Sequence, residues 1–264
     1  MNFAAGRAAA PAMRTLAVIP ARLGASRLPR KPLRLLGGLP LVVRVWQRVQ
    51  QLGVAQRCVI ATESDEVARA ARDAGADVTL TDPRHPSGTD RVAEVATQSA
   101  FRAFDAILNV QGDEPFVPAE AVRGAARVVT EGQFELGTAA AHAPLGVLDT
   151  PHVVKVVADD DGRAMYFSRA PIPYLRDDAD RSLLEQRVLQ HVGVYAYTPD
   201  ALARWVALPP HPLEQIERLE QLRPLAAGMA IGVAVTADAP RRGVDTEEDL
   251  ARANADWATL SADT

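Results

Sequence analysis

Lysine is nearly missing from this chain: 29 residues are Lys or Arg, yet only Lys31 and Lys155 are lysines. Where arginine is the habitual cation, a lysine in a loop suggests that a compact point charge is wanted there. Cysteine is rarer still. Cys58 alone allows no internal disulfide, and the expected setting is reducing, the cytoplasm. It sits in the apolar run Cys58-Val59-Ile60-Ala61 and reads as a buried strand residue. No stretch reaches the roughly 18 uninterrupted apolar residues of a membrane span, which argues against a membrane partner. Residues 1–14 are alanine-rich, with Gly6 and Pro11, and make neither a convincing signal peptide nor a span. They read as a disordered extension, or as an over-long start with Met13 the true beginning. Phosphate fingerprints are absent too: neither G-x-x-x-x-G-K-[ST] nor G-x-G-x-x-G occurs. Finally, no Asp or Glu precedes Glu63, although ten Lys or Arg residues do. From there onward 19 basic residues face 33 acidic ones, so the positive field is local. That suits capture of a small polyanion, not of a nucleic acid.

What is present is an ordinary globular composition, 48 % hydrophobic and 23 % charged over 264 residues. Apolar strands at 16–19, 57–61, 77–80, 106–110, 136–141 and 231–235 alternate with helices whose apolar stripes repeat at helical spacing. The stripe of the first helix holds Leu41, Val42, Val45, Trp46 and Val49; Gly75 stops the second, over 65–74, and a fourth spans 118–131. This rhythm predicts an α/β fold, a Rossmann-like mainly parallel sheet flanked by helices. From about 146 to 197 the rhythm breaks, and the Val153–Val157 and Val192–Tyr195 runs predict a smaller mixed or antiparallel lobe. Asp159-Asp160-Asp161 followed by Gly162 reads as a hairpin turn, not a metal site. Pro212 opens a helix with Leu213, Ile216, Leu219 and Leu222 at three-residue spacing, and Pro224 ends it. The expected organisation is one domain over 15–264, with a core at about 15–142 and 225–260 and an inserted lobe at about 143–224.

Three stretches carry chemistry. Pro20 to Leu33 follows the first strand and holds Arg22, Arg27, Arg30 and Lys31, with Arg34 just beyond. Such a loop puts positive charge at the carboxyl edge of the sheet, where open α/β folds bind ligands; the plainer reading is a solvated basic loop. In Asn109-Val110-Gln111-Gly112-Asp113-Glu114-Pro115, the proline biases Glu114 toward an extended backbone and holds Asp113 at a strand end. Asp113 is then either an ion-pair partner or a ligand for Mg²⁺, which takes one or two carboxylates together with substrate oxygens and water. In Arg241 to Leu250, Asp245 or Thr246 caps the last helix, with Glu248 or Asp249 closing a capping box. Ser87 or Thr89 likewise fits an N-cap.

Pro-Ala-Arg-x-x-x-Ser-Arg-Leu-Pro-x-Lys-Pro-Leu, here Pro20 to Leu33, resembles the signature of sugar-acid cytidylyltransferases, and most closely the CMP-Kdo synthetase (3-deoxy-manno-octulosonate cytidylyltransferase) family. Asn109 to Pro115, Ala164 to Pro173, Gln190 to Tyr195, Leu213 to Arg223 and Gly243 to Thr246 extend the likeness over about residues 14 to 257. It departs at Arg30, where a small residue is more usual, and at Asp90, where Glu is common. The resemblance implies a nucleotide-diphospho-sugar transferase type of sheet and transfer of CMP from CTP to the anomeric hydroxyl of Kdo, for lipopolysaccharide synthesis. It further implies that Pro20, Ala21, Arg22, Arg27, Lys31, His85, Ser87 and Gly88 bind the nucleotide. Arg22, Lys31, Asp113 and Asp245 would be catalytic, with Mg²⁺ on Asp113 and Asp245. The sugar would meet Gln111, Arg169, His191, Tyr195, Glu220 and Gln221, and a homodimer would form through the smaller lobe. Lys155 reads equally as a phosphate or sugar contact and as a solvated strand-edge charge. Rival readings are a cytidylyltransferase for sialic acid or amino-substituted Kdo, a GT-A-type glycosyltransferase (no placed Asp-x-Asp is found), and a non-catalytic nucleotide-binding module.

Overall fold

A computed structural model describes residues 13–24, 27–237 and 240–262. Residues 1–12, most of the expected extension, and Ser26 of the loop signature lie outside the described residues. In chain order come β1 (Thr15–Pro20), a two-residue hairpin of β2 (Leu35–Leu36) and β3 (Leu39–Pro40), α1 (Leu41–Leu52), β4 (Arg57–Thr62), α2 (Asp65–Asp73), β5 (Asp77–Leu80), α3 (Gly88–Thr97), β6 (Ala106–Val110), α4 (Ala119–Thr130) and β7 (Leu136–His142). The second half adds β8 (Lys155–Ala158), β9 (Ala164–Ser168), α5 (Arg181–Arg187), β10 (Leu189–Tyr197), α6 (Pro199–Ala207), α7 (Pro212–Glu217), α8 (Leu222–Ala226), β11 (Ile231–Thr236) and α9 (Glu247–Ala262).

The main sheet runs β11-β7-β10-β6-β1-β4-β5. Every pairing in that path is parallel except those of β10, which is antiparallel to both β6 and β7. β1 alternates Ala17 and Ile19 toward one apolar layer with Leu16 and Val18 toward the other. A strand wetted on neither face needs that continuous apolar run. Strand order reverses around β1, since β4 and β5 lie on one side of it and β6 on the other. The crevice outside the carboxyl ends of β1 and β6 is the switch point where such sheets take ligands.

Two expectations need correction. The Val192–Tyr195 run is not part of a separate lobe sheet: it belongs to β10, which crosses the central sheet and meets β8 at the single pair Gln190 and Lys155. β8 and β9 branch from that edge as a small antiparallel extension. The helix from Pro212 does not run on to Leu222. It breaks at Arg218, left-handed at φ +55°, and α8 follows with Pro224 in its first turn, where a missing N–H costs little. A spacing of three drifts around a helix of 3.6 residues per turn. Leu213 and Ile216 accordingly face solvent, whereas Leu219 and Leu222 are buried. The Asp159 turn is a hairpin as read, its Oδ1 accepting from the Asp161 and Arg163 N–H groups, and Cys58 is buried in β4.

Candidate active site

The loop after β1 is fixed by apolar anchors rather than by glycines. Leu28 is fully buried with Leu36, Leu41, Val244 and Leu250, so one small core ties this loop to the base of α9. Val244 N–H donates to Asp113 O at 2.9 Å, drawing the α9 entry loop against the loop after β6. That loop is pressed in turn onto β1: a Cβ on Gly112 would lie 2.8 Å from Pro20 O, so only glycine fits. Three segments distant in sequence therefore converge at the switch point.

At their meeting point Lys31 Nζ donates to Asp113 Oδ2 at 2.6 Å and to Asp245 Oδ1 at 2.7 Å. Arg27 Nη2 reaches Asp245 Oδ2 at 3.0 Å. Burial works against the Lys31 charge, but the Asp113 and Asp245 carboxylates outweigh it and hold the ammonium pKa above the ordinary lysine value. Arg22 is exposed on the same wall and has no ionic partner among the described residues. The other early cations serve the fold. Arg34 makes a two-pronged pair with Glu247, Arg44 stacks on Trp257 at 4.3 Å, and Arg48 donates to Val117 O. Arg30 is left-handed at φ +57°, a backbone that glycine adopts most readily, and pairs with Glu66.

Asp245 is free of capping duty. Thr246 Oγ1 accepts from Asp249 N–H, and Asp249 Oδ2 accepts from the Thr246 N–H and the Asp245 N–H. Ser87 is the N-cap of α3. All eight nucleotide candidates, Pro20, Ala21, Arg22, Arg27, Lys31, His85, Ser87 and Gly88, line one cleft of about 310 Å³ with Gln111, Asp113 and Asp245. His85 Nε2 is already engaged, 2.5 Å from Glu94 Oε2.

A second cleft, about 210 Å³, shares Gly88 and Gln111 with the first. Five of the six sugar candidates line it: Gln111, His191, Tyr195, Glu220 and Gln221. The sixth, Arg169, lines neither cleft. Its guanidinium donates to Glu217 O at 2.8 Å and to Pro151 O at 3.1 Å. The His191 ring lies between Phe167 and Tyr195, and burial pushes its pKa down to about 4, so it is a neutral imidazole. Thr138 Oγ1 donates to Val194 O at 2.8 Å and lies 2.9 Å from His191 Nε2; this assigns the imidazole proton to Nε2 and leaves Nδ1 an acceptor. Glu220 Oε2 accepts from Thr89 Oγ1 at 2.8 Å; burial raises its pKa against that hydrogen bond. Tyr195, edge-on to Trp205, keeps its phenol proton because burial lifts its pKa well above the usual value.

Lys155 fits neither of its readings. It is fully buried, and Nζ donates to the carbonyls of Thr150 (3.2 Å), Val153 (2.8 Å) and Arg169 (2.5 Å). Sequence reasoning missed Glu114, Arg91 and Arg218. Glu114 packs where a Cβ on Gly243 would come within 2.7 Å of its Oε1, and burial, then Asp113 and Asp245, push its pKa up to about 8. Arg91, buried and paired with Glu63 at 2.8 Å, lines the first cleft. The lack of acidic residues before Glu63 pointed to none of the three, since all lie downstream of it.

A strand-edge cleft with two carboxylates on one cation, free and paired guanidinium groups beside them, and a polar-aromatic cleft next door define a nucleotide-binding transferase of α/β type. A cytidylyltransferase family model matches residues 16–231. A 3-deoxy-manno-octulosonate cytidylyltransferase of Gemmatimonas aurantiaca is 62 % identical over 250 residues, 95 % of this chain and 96 % of that one. One from Polynucleobacter asymbioticus is 46 % identical over 90 % of this chain and 93 % of its own. A solved CMP:2-keto-3-deoxy-manno-octonic acid synthetase complexed with CTP superposes with a TM-score of 0.86 at 36 % identity, covering 94 % of this chain and 99 % of that one. The chain belongs to the 3-deoxy-manno-octulosonate cytidylyltransferase family.

Proposed function

We propose that the chain transfers CMP from CTP to the anomeric hydroxyl of Kdo, a step that supplies activated sugar for lipopolysaccharide synthesis. The observation that carries this is the convergence of Asp113 and Asp245 on Lys31 Nζ at 2.6 and 2.7 Å, in a cleft that adjoins the sugar-sized one through Gln111. In the first cleft Arg22, Arg27 and Lys31 would bind the β- and γ-phosphates and neutralise departing pyrophosphate. In the second, Gln111, His191, Tyr195 and Gln221 offer the neutral donors and acceptors that a polyhydroxylated sugar needs, and the Glu220 carboxyl stands beside them. The anomeric oxygen forms a bond to the α-phosphorus while the bond from that phosphorus to the β-bridging oxygen breaks, and the hydroxyl proton leaves to water. Catalysis is then placement and charge neutralisation, with no covalent intermediate on the protein.

The residues fit Mg²⁺. Two hard oxygen ligands already converge on one positive charge, and among the described residues no group of three or more His, Cys, Asp or Glu forms a metal cage. Mg²⁺ held by one or two carboxylates, with substrate oxygens and water as its other ligands, is the usual arrangement at phosphate sites. When bound, the ion would supply Lewis acidity at the α-phosphate. A homodimer through the 143–224 segment is part of the proposal, because Met165, Tyr174, Leu183 and Ile216 in that segment are exposed large apolar side chains. Light scattering at twice 28.3 kDa is the expected result. The reaction itself is tested by pyrophosphate release with CTP, Mg²⁺ and Kdo, each omitted in turn. Release that requires all three supports the reading, and release without Kdo overturns it.

A further inference from the structure

The second cleft has an acid, Glu220, on its wall, and it has one cation, Arg218. An anionic sugar seated beside Glu220 needs a positive charge, and the expected donor, Arg169, is spent on backbone carbonyls outside the wall. Arg218 is solvent-exposed and meets no carboxylate among the described residues. Its neighbour Arg223 differs: it is paired with Glu214 and does not line the cleft. The backbone of Arg218 is also costly. It closes α7 at φ +55° and ψ +47°, a left-handed position where glycine or asparagine is the ordinary occupant. A long cation thus stands at a disfavoured backbone, unpaired, in the wall of a cleft that otherwise presents neutral or acidic groups.

We propose that Arg218 binds the carboxylate of the acidic sugar and so selects acidic over neutral acceptors. This rests on the sugar-acid reading above. A planar guanidinium offers two parallel N–H donors that match a carboxylate, a geometry that a lysine ammonium cannot reproduce.

The test is steady-state pyrophosphate release by the full chain with CTP, Mg²⁺ and Kdo as the probe. Arg218→Gly keeps the left-handed turn and removes only the cation. The KM for Kdo is expected to rise about tenfold to hundredfold while the KM for CTP stays within about twofold. Arg218→Lys should fall between that variant and the unsubstituted chain. The C1 carboxamide of Kdo should be used poorly, and equally so by the unsubstituted chain and Arg218→Gly. An unchanged KM for Kdo in Arg218→Gly overturns the proposal. So does a parallel rise in both KM values, the signature of a structural role. No release by the unsubstituted chain under any condition overturns the underlying reading and this proposal with it, whereas release with an insensitive KM overturns the proposal alone.

Discussion

The two clefts adjoin, yet they are built on opposite electrostatic principles. The first is a balanced array of full charges: Lys31 between Asp113 and Asp245, Arg27 on Asp245, and Arg22 left over. The second is made of groups that burial drives toward neutrality, a His191 imidazole, the Tyr195 phenol and the hydrogen-bonded Glu220. The two lysines are likewise used differently. Lys31 stands in the first cleft among carboxylates, whereas Lys155 lines neither cleft and is buried on three carbonyls. Full charges suit a triphosphate whose own charge changes during reaction, whereas neutral hydrogen-bonding groups suit hydroxyls and cost less to desolvate.

The contrast breaks first at Asp113. Asp113→Asn keeps an oxygen within reach of Lys31 but removes a charge, and turnover should fall roughly a thousandfold, about 4 kcal/mol of barrier, with thermal stability unchanged. Single-turnover pyrophosphate release, alongside a melting curve, checks it. Near-normal turnover would show that the charged cleft is not where the chemistry happens.

Exchanging each lysine for methionine sharpens the comparison next. Lys155→Met strips the donor from three partly buried carbonyls and should cost about 3 kcal/mol of stability, leaving turnover per folded molecule intact. Lys31→Met should cost turnover first and less stability than Lys155→Met, since its partners Asp113 and Asp245 are partly solvated and stay hydrated without it. Urea midpoints and specific activity on the same samples decide the point; equal stability losses would erase the distinction.

That first cleft was legible in the sequence because its parts are short contiguous motifs. The Pro20–Leu33 loop and Asp113 each sit at the end of a recognisable strand, and Asp245 lies in the loop that enters the last helix. The βαβ rhythm likewise gave β1, β4, β5 and β6 to within a residue or so. The second cleft is different in kind. It draws Gln111 from the loop after β6, His191 and Tyr195 from β10, and Arg218 to Gln221 from a broken helix, and only topology joins them. Strand β10 runs antiparallel through a parallel sheet, and local alternation carries no sign of strand direction. Arg218 was invisible for a related reason: nothing in Leu-Glu-Gln-Ile-Glu-Arg-Leu-Glu-Gln-Leu announces a left-handed break, since every residue in it tolerates a helix.

Acid should separate the regions too. Unfolded, the His191 imidazole titrates near 6.5; folded, near 4, because burial disfavours its charge. Between those values the unfolded chain binds the extra proton, so the His191 contribution is complete above pH about 6.5 and drains away as pH falls toward about 4, on the order of 3 kcal/mol. The raised Lys31 has the opposite sense: its contribution is complete below the ordinary lysine pKa and is lost only as pH rises through its own higher value. His191→Gln should therefore flatten the stability profile between pH 6.5 and 4 and leave the alkaline limb alone. Urea denaturation across that range reads the difference, and a profile as steep as the parent's would place the acid-labile group elsewhere.

The smallest effects come from the two left-handed arginines, and they test whether similar backbone strain serves different ends. Arg30 and Arg218 share φ near +56° (+57° and +55°), yet Arg30 pairs with Glu66 outside both clefts, while Arg218, in the wall of the second, meets no carboxylate among the described residues. Replacing either with glycine relieves a side-chain clash with the backbone worth about 1 kcal/mol, partly offset by the freer unfolded chain. For Arg30→Gly the lost partner is an exposed ion pair, which contributes a few tenths of a kcal/mol at most, so a slightly higher melting temperature with unaltered kinetics is expected. Arg218→Gly should gain the same small stability and forfeit acceptor affinity. If both variants melt higher and neither changes any kinetic constant, the unpaired arginine is ornament, and the acidic group of the acceptor is held by something other than charge in the cleft wall.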